Sequence, residues 1–513
     1  MALKIKMVSL RAAGLSLLAV GCWATAAGAA TYEVGPGKTY ANILDAPLDA
    51  LQPGDEVLVY WRAEPYRETF GVDRAGTQQA PIVFRGVRGP GGELPVIDGE
   101  GSRSGYAAHN RGLVHVNGDA AYLVFESFEL RNASASAGFP DNAASVFAPG
   151  GAHLTFRDLD IHGSGNGFFS WVNASDVLVE GCYIHDNGNV GSIYEHNIYT
   201  ESNGVTFQFN RILPLKSGAG GNNLKDRSAG TVVRYNWIEG GNRVLDLVEA
   251  EDGDWDHVDD PAHVYGNVLI KHRDTNQSQI VHFGQDNGLA PRRLMFFYHN
   301  TVISDRDDRA TIFFVNSSTR VEAYNNVFYS SGGGLEILDP DQSSGADLTL
   351  AGNWISSGWI AGSNSAIITG YETLLEGSDP GLAADHRVTA GSPLVNAGQA
   401  LPSGYAAVSS EYAGQGLARP RTDNGAPDLG AYALDSTGGG SPTGGAGGAG
   451  AQGGAGAQGG AGGAGAAATG GAAGGSDDSG CGCKLNRSSP PAPLSIAGLL
   501  VGCAAWLRRR RGV

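Results

Sequence analysis

Ionisable side chains that could do chemistry together lie between His196 and His282. In this stretch a short apolar segment recurs, and an ionisable residue follows the same apolar position in each copy. The four ionisable residues are Tyr199, Lys225, Asp246 and His282, and the apolar residues before them are Ile198, Leu224, Leu245 and Val281. Because side chains along a β-strand alternate between its faces, the apolar residues would point inward and the ionisable ones outward in a single column.

Other charged side chains flank this column. Glu201 and Arg227 would form a second outward pair one step further along their strands. His196 and Arg243 stand at the entrances of theirs. Equivalent residues on neighbouring strands are about 4.8 Å apart, so these groups would share one site.

This combination of residues suits β-elimination from a uronic acid. The reaction needs a cation to neutralise the substrate carboxylate, a base for the proton beside it and an acid for the leaving oxygen. Lys225 is the candidate base, with a pKa that Arg227 and Arg243 would lower, and either arginine could hold the carboxylate. The candidates for the acid are Tyr199, His196 and His282. Asp246 and Glu201 would contact the substrate.

The same residues also allow an interpretation without catalysis. Lys225 and Asp246 would form a salt bridge between adjacent repeats, and the histidines would cap turns. Glu201 and Arg227 would form a second salt bridge. Exposed pairs of this kind each stabilise a protein by about 0 to 1 kcal/mol. A hydrolase with Asp246 and Glu249 as its carboxylate pair is a further alternative, although no hydrolase motif surrounds them.

An acidic loop, EAEDGDWDHVDDP, occupies positions 249 to 261. Carboxylates are ligands that Ca²⁺ prefers, and a bound cation would offset the repulsion between an acidic protein and a polyuronate. Trp255 in this loop could stack on a sugar ring. The candidate calcium ligands are Glu249, Glu251, Asp252 and Asp254. Their spacing does not match an EF-hand loop, so a solvated acidic loop is the alternative.

A repeated strand unit must position all these residues. NGVTFQFNRI (203–212) and GTVVRYNWI (230–238) alternate apolar and polar residues, end in Asn-x-Ile and lead into glycine-rich turns. The asparagines recur after 26, 31, 33 and 26 residues, at Asn210, Asn236, Asn267, Asn300 and Asn326. Strand repeats of this length indicate a β-solenoid, in which the asparagines would form a hydrogen-bonded ladder.

The repeats resemble the right-handed parallel β-helix proteins of the pectate lyase superfamily over most of residues 31–435. The resemblance implies an all-β coil of about ten turns that acts on polysaccharide. YANILDAPLDAL (40–51), followed by QPGD, resembles the helical cap before the first turn. Residues 379–399 and 418–432 resemble the segments that end such coils.

One segment carries a narrower resemblance. NLKDRS (223–228) is similar to the lysine-bearing turn of the alginate lyase and chondroitinase B family. The resemblance implies that Lys225 is the catalytic base. Asp246 stands where that family has an arginine, 21 residues further on.

Charge excludes nucleic acid as a partner. The chain has a formal net charge of -17. Residues 31–435 alone carry 26 basic and 50 acidic side chains, a balance near -24. Binding to nucleic acid requires a basic face, which this composition does not favour.

The flanking segments indicate export. Residues 1–30 have a basic start, an apolar core and small residues at the end, which predicts a secretory signal peptide; lipoprotein processing is the alternative. Residues 436–480 are almost entirely Gly and Ala, which predicts a flexible linker. Residues 481–513 resemble the myxobacterial C-terminal sorting signal, which implies anchoring in the cell envelope at the cell surface. An ordinary C-terminal membrane anchor is the alternative.

We therefore expect a secreted, surface-anchored monomer that acts on polysaccharide, with a lyase slightly ahead of a hydrolase. A non-catalytic glycan-binding adhesin or matrix protein is the rival class, because one fold hosts many functions.

Overall fold

The computed structural model describes residues 28–255, 260–315, 318–339, 345–362 and 366–434, together with the strand at 443–444. Apart from residues 443–444, the predicted linker lies outside the described residues, as do the predicted sorting tail and the predicted signal peptide up to residue 27. In the described part, no helix is long and apolar enough to cross a membrane.

Parallel strands wind into a coil with three faces. A 22-stranded sheet bends to form two of them, and an 11-stranded sheet forms the third. Two long strands, Ala144–Arg157 and Asn166–Glu180, run through both faces of the larger sheet and join them. The fold is the predicted all-β, right-handed parallel β-helix.

Each face consists of short strands at equivalent positions in successive turns of the coil. Besides the two long strands, face A contains Glu68–Val72, Arg103–Ser104, Gly112–Val116, Ile198–Thr200, Leu224–Asp226, Leu245–Val248, Gln279–Gly284, Ala310–Val315 and Leu335–Leu338. Face B contains Thr31–Val34, Glu56–Tyr60, Ile82–Val87, Ala121–Glu126, Asn203–Gln208, Ala229–Arg234, Ala262–Tyr265, Leu294–Tyr298, Arg320–Tyr324, Asp347–Ala351 and Ile367–Thr369. Face C contains Val96–Asp98, Glu129–Arg131, Asp160–His162, Tyr183–His185, Arg211–Ile212, Trp237–Glu239, Val268–Lys271, Thr301–Ser304, Val327–Ser330, Trp354–Ser356 and Leu375–Gly377.

Inside the coil, apolar side chains and one asparagine ladder hold the turns in register. Asn236 shows the ladder's pattern: its side-chain oxygen accepts from the backbone N–H of Asn210 at 3.0 Å, and its amide nitrogen donates to Asn267 Oδ1 at 3.0 Å. The same bonds continue to Asn353 at the far end. The predicted ladder is therefore confirmed, and it leaves the buried backbone groups of these bends paired.

The predicted helical cap at residues 40–51 is wrong. The segment instead forms two single-turn 3-10 helices, Ile43–Asp45 and Leu48–Ala50. Pro47 stands between them, and a proline inside a helix lacks the N–H and clashes with the preceding turn. Ile43 and Leu48 are nevertheless buried, so the segment still covers apolar surface at the start of the coil.

The C-terminal segment was predicted to end the coil, but it runs back along the outside instead. Leu394 and Leu429 pack against Val327 and Trp354 of face C. Two further short strands of this segment, Ser410–Gly414 and Leu417–Pro420, form an antiparallel pair. Leu417–Pro420 also pairs with Thr443–Gly444.

Two more 3-10 turns lie between strands of the coil, at Ala135–Ala137 and at Tyr371–Thr373.

Candidate active site

The ionisable column forms on face A in the predicted register. Tyr199 pairs with Lys225, Lys225 with Asp246, and Asp246 with His282 on successive strands. Phe169 precedes this column and Phe314 follows it at the equivalent positions. The apolar residues before each member point into the core, as alternation required.

The column is not on the surface, although it points outward from the coil. Lys225 and Asp246 are 0% exposed, His282 is 1% exposed and Tyr199 is 5% exposed. Chain segments 249–255 and 284–292, which follow two of the strands, fold back over it. The predicted salt bridge between Lys225 and Asp246 forms, but it is buried rather than exposed.

Lys225 is held between two carboxylates. Its Nζ donates to Asp246 Oδ2 at 2.8 Å and to Asp286 Oδ2 at 2.5 Å. Burial by itself lowers the pKa of Lys225, and Arg227 acts in the same direction, but the two carboxylates outweigh them and leave the pKa raised. The predicted lowering of the pKa is wrong, because sequence reasoning counted the neighbouring arginines without Asp286. In this arrangement Lys225 is a cation rather than a base.

Asp246 contacts four polar or charged side chains, those of Lys225, His282, Asn222 and Arg243. Its Oδ1 lies 2.5 Å from His282 Nδ1, and its Oδ2 also accepts from Asn222 Nδ2 at 2.6 Å. Arg243 NH1 is 3.6 Å from Oδ1. Burial opposes ionisation, but Lys225 and His282 hold the pKa of Asp246 well below its usual range. Its carboxylate is thus committed to protein partners.

The two candidate histidines are buried, and burial lowers the pKa of each. His196 Nδ1 accepts from the backbone N–H of Asn222 at 2.9 Å, and burial, with Lys225 adding to it, lowers the pKa of His196 to about 3. Burial and the charge of Arg243 also lower the pKa of His282. A lowered pKa disfavours the protonated imidazole, and the role of acid stays a prediction for both histidines.

Arg227 joins the column to the loop above it. Its NH2 donates to Asp286 Oδ1 at 2.7 Å and its NH1 to the carbonyl oxygen of Glu249 at 2.7 Å. Its Nε donates to the Tyr199 hydroxyl at 3.2 Å. Glu251 Oε2 is a looser partner, 3.7 Å from Nε. Arg227 is 1% exposed, so this guanidinium lies directly under the loop.

Glu201 holds the loop rather than pairing with Arg227 as predicted. Its Oε1 accepts from the backbone N–H groups of Glu251, Asp252 and Gly253 at 2.9, 2.7 and 2.7 Å. Trp171 adds a second attachment, since its indole N–H donates to Asp252 Oδ2 at 3.1 Å. Residues 251–253 are therefore fixed at their backbone above Arg227.

A small pocket opens beside this loop. It has a volume of about 210 Å³ and its lining is Glu249, Ala250, Glu251, Gly253, Leu289, Ala290, Pro291 and Arg292. Burial raises the pKa of Glu249 and of Glu251, although Arg227 opposes the shift in both. Glu249 uses both carboxylate oxygens to accept from the backbone N–H groups of Asp286 and Asn287. Glu251, with its side chain 26% exposed, is the acid that faces both Arg227 and solvent.

The loop acids do not gather around one point. Glu249 and Asp252 already accept hydrogen bonds from the protein, and Asp254 is exposed. Within the described residues, no group of three or more His, Cys, Asp or Glu is arranged to hold a metal ion. A calcium site therefore stays a prediction. Trp255 is half-buried at the end of the described part of the loop, and its contact with a sugar also stays a prediction.

Sequence reasoning missed Asp286 and Asn222. Asp286 lies 61 residues after Lys225, beyond the end of its strand, where the repeat no longer fixes the position of a residue. Asn222 lies three positions before Lys225, in the same place as His196 in the preceding turn. The period of the repeat places Asn222 at the position of His196, but its uncharged amide gave no chemical reason to include it in the site.

Scans of protein-family models and of curated proteins found no match for this chain. Among solved structures, it is similar to a pectate lyase at 15% identity, over 79% of this chain and 96% of that chain, with a TM-score of 0.45. An alginate lyase from Paenibacillus sp. str. FPU-7 is 16% identical over 60% of this chain and 97% of its own, with a TM-score of 0.43. A lacto-N-biosidase from Eubacterium ramulus is 15% identical over 66% and 68%, with a TM-score of 0.40. None of these likenesses assigns a role to a residue of this chain.

Proposed function

We propose that this protein is a polysaccharide lyase that cleaves a uronate-containing glycan by β-elimination at Tyr199, Arg227 and Glu251. The observation that carries the proposal is the hydrogen bond of Arg227 Nε to the Tyr199 hydroxyl, directly beneath a loop carboxylate that Arg227 holds only at 3.7 Å. Glu249 Oε2 is also only at 3.6 Å from Arg227, but Glu249 is bonded to backbone N–H groups, so Glu251 is the carboxylate that a substrate carboxylate can replace.

In this proposal Arg227 neutralises the uronate. A planar guanidinium matches a carboxylate in two parallel hydrogen bonds, and it stabilises the charge that develops when the neighbouring carbon loses its proton. The carboxylate of Glu251 would move away from Arg227 as the substrate binds. Its raised pKa favours the neutral form, which a guanidinium releases more readily than an anion.

Tyr199 would move the proton. A guanidinium beside a phenol oxygen favours the phenolate, which can take the proton from the carbon next to the carboxylate. The electron pair then forms a carbon–carbon double bond as the bond to the glycosidic oxygen breaks. The same hydroxyl returns the proton to that leaving oxygen, so one residue serves as base and acid. Lys225 has a supporting part, since it orients Asp286 and thereby Arg227.

A hydrolase is the second candidate, and the raised pKa values of Glu249 and Glu251 favour it. A carboxylic acid that stays protonated near neutral pH can donate a proton to a glycosidic oxygen. In that case the substrate would carry no uronate at the cleaved bond. Export and anchoring at the cell surface remain part of the proposal, because a protein that cleaves polysaccharide must reach it outside the cell.

The test follows product absorbance near 235 nm, where the new double bond absorbs, during incubation with polygalacturonate, alginate and glycosaminoglycans, with and without calcium. We expect a rise that Tyr199→Phe lowers by about 100-fold or more. Tyr183→Phe, which changes a half-buried tyrosine on face C, is the matched control and should keep the rate. New reducing ends without absorbance would replace the lyase with the hydrolase. If folded protein gives neither signal, the remaining interpretation is a glycan-binding adhesin.

A further inference from the structure

A second pocket lies on face C, on a different side of the coil from the candidate active site. It has a volume of about 230 Å³, and its lining is Arg211, Trp237, Asp385, Arg387, Tyr412, Ala413, Gly414 and Tyr432. Drug-sized ligands occupy pockets of about 300 Å³ or more, so this one has room for a single sugar ring.

The pocket forms where the returning C-terminal segment stops covering face C. Arg211 and Trp237 are neighbours in register on two adjacent strands of that face. Val268, one strand further, is buried under Tyr412 and Tyr432 of the segment. Trp237 thus stands at the boundary between covered and open surface, and Arg211 lies on the open side.

Aromatic rings form the walls of the pocket on face C. Trp237 stacks on His386 with ring centroids 5.3 Å apart, and it packs at a tilt against Tyr412 at 6.2 Å. Tyr432 lies under the guanidinium of Arg387, 4.3 Å from its ring centroid. Flat apolar rings with polar edges suit the apolar face of a sugar ring.

The two arginines of the pocket differ in their pairing, and only Arg211 supplies a positive charge that no described carboxylate pairs with. Arg211 is exposed, and its side chain forms no hydrogen bond or ion pair with a described residue. Arg387 donates from NH2 to the Tyr412 carbonyl oxygen at 3.0 Å, and it forms ion pairs with Asp385 at 3.2 Å and with Glu411 at 3.5 Å. In a chain with a net charge of -17, an exposed guanidinium without an ion pair beside aromatic rings points to an anionic ligand.

We propose that this pocket binds one carboxylated sugar unit of a glycan, independently of any cleavage. Arg211 would bind the carboxylate, and the ring would lie against Trp237 and Tyr412. Asp385, which pairs with Arg387, would accept hydrogen bonds from sugar hydroxyls. A site of this kind would hold a glycan chain on the side of the coil away from the candidate active site, and binding here requires no reaction.

Binding of glucuronate to the full chain, followed by isothermal titration and by the indole N–H signals in a nitrogen–proton spectrum, tests the proposal. Trp237→Phe identifies the Trp237 signal by its disappearance. We expect saturable binding that shifts this signal, and glucose should bind about tenfold more weakly or worse, because it lacks the carboxylate.

Arg211→Ala should weaken glucuronate binding by about tenfold or more, without loss of folding, because Arg211 is exposed. Arg320→Ala is the matched control, since it removes another largely exposed strand arginine from face B, and it should leave binding unchanged. Equal binding by wild type and Arg211→Ala would overturn the proposal, and so would an unmoved Trp237 signal or no saturation up to about 10 mM glucuronate. Product absorbance in Arg211→Ala should match wild type, so failure of this site and failure of the lyase proposal are distinguishable.

Discussion

Lys225 Nζ lies 2.8 Å from Asp246 Oδ2 on the outer side of face A, and neither side chain reaches solvent. The two residues are direct neighbours in register, so the fold itself sets their separation. Asp286 completes the cluster from a segment outside the repeat. The cluster is therefore a buried ion network, and its behaviour on mutation differs from that of a surface pair.

Lys225→Met should destabilise the protein by about 3 to 5 kcal/mol. The substitution keeps the length of the side chain but leaves two buried carboxylates without their common cation, and a buried charge that loses its partner costs this much. Urea denaturation at neutral pH measures the change in the free energy of unfolding.

Arg85→Met supplies the matched comparison, because Arg85 pairs with Glu126 at 2.6 Å across adjacent turns but has a side chain 43% exposed. We expect a loss of about 1 kcal/mol or less. Equal losses in the two variants would mean that the Lys225 cluster is no more than an ordinary ion ladder.

Asn236→Ala should cost about 3 kcal/mol of stability. Asn236 Oδ1 accepts from both the backbone N–H and the side-chain amide of Asn210, so its removal leaves a buried donor without a partner at 0% exposure. An unsatisfied buried group costs about 1 to 3 kcal/mol, and here the lost bonds add to it. Asn173→Ala, at an exposed position of a long strand, should change stability by about 0.5 kcal/mol or less in the same denaturation experiment. Similar costs at both positions would contradict the role of the ladder.

His196 should make the protein acid-sensitive. Its pKa is lowered to about 3 by burial, with Lys225 adding to the shift, whereas an unfolded histidine titrates near pH 6.5. Below about pH 6.5 the imidazole of His196 binds a proton in the unfolded chain but not in the folded chain. The free energy of unfolding is therefore highest above that pH, and it falls by about 1.4 kcal/mol per pH unit as the pH drops towards 3.

His196→Asn checks this dependence, because its side-chain oxygen can replace Nδ1 as acceptor for the backbone N–H of Asn222. Unfolding measured from about pH 7 to pH 4 should show a shallower loss of stability in the variant than in wild type. The exposed His153 gives the control, and His153→Asn should follow the wild-type curve. Parallel curves for His196→Asn and wild type would refute the assignment.

The repeat explains which parts of the site were predictable. Tyr199, Lys225, Asp246 and His282 occupy one position of a strand that recurs, so the period and the alternation of apolar residues were sufficient to place them in one column. The same reasoning placed the asparagine ladder, because its members also sit at one position of the repeat.

Burial and charge pairing were not predictable, because they depend on segments that leave the repeat. Asp286 and the loop at 249–255 fold back over face A, and no periodic signal gives the direction of such a loop. The pKa of Lys225 was therefore assigned the wrong direction. The prediction of a helical cap was wrong for a local reason. The spacing of apolar residues in 40–51 is helical, but Pro47 divides the segment into two 3-10 turns.

Glu201→Ala should release the loop above Arg227. One carboxylate oxygen of Glu201 accepts three successive backbone N–H groups, from Glu251 to Gly253, and hydrogen bonds to a charged group contribute about 1.5 to 3 kcal/mol each. Without this acceptor, the three amides should exchange with solvent at least about tenfold faster in hydrogen-exchange measurements.

Glu180→Ala on face B removes a carboxylate whose partners are the Arg157 and Gln208 side chains, so exchange at residues 251–253 should stay at the wild-type rate. If Glu251 must leave Arg227 for a uronate to enter, a freer loop should also weaken the contact between Glu251 and Arg227. Product formation by Glu201→Ala would then change together with the exchange rates. Unchanged exchange at these amides would show that Trp171 and the rest of the loop suffice to hold it, and that Glu201 has no part in controlling access to Arg227.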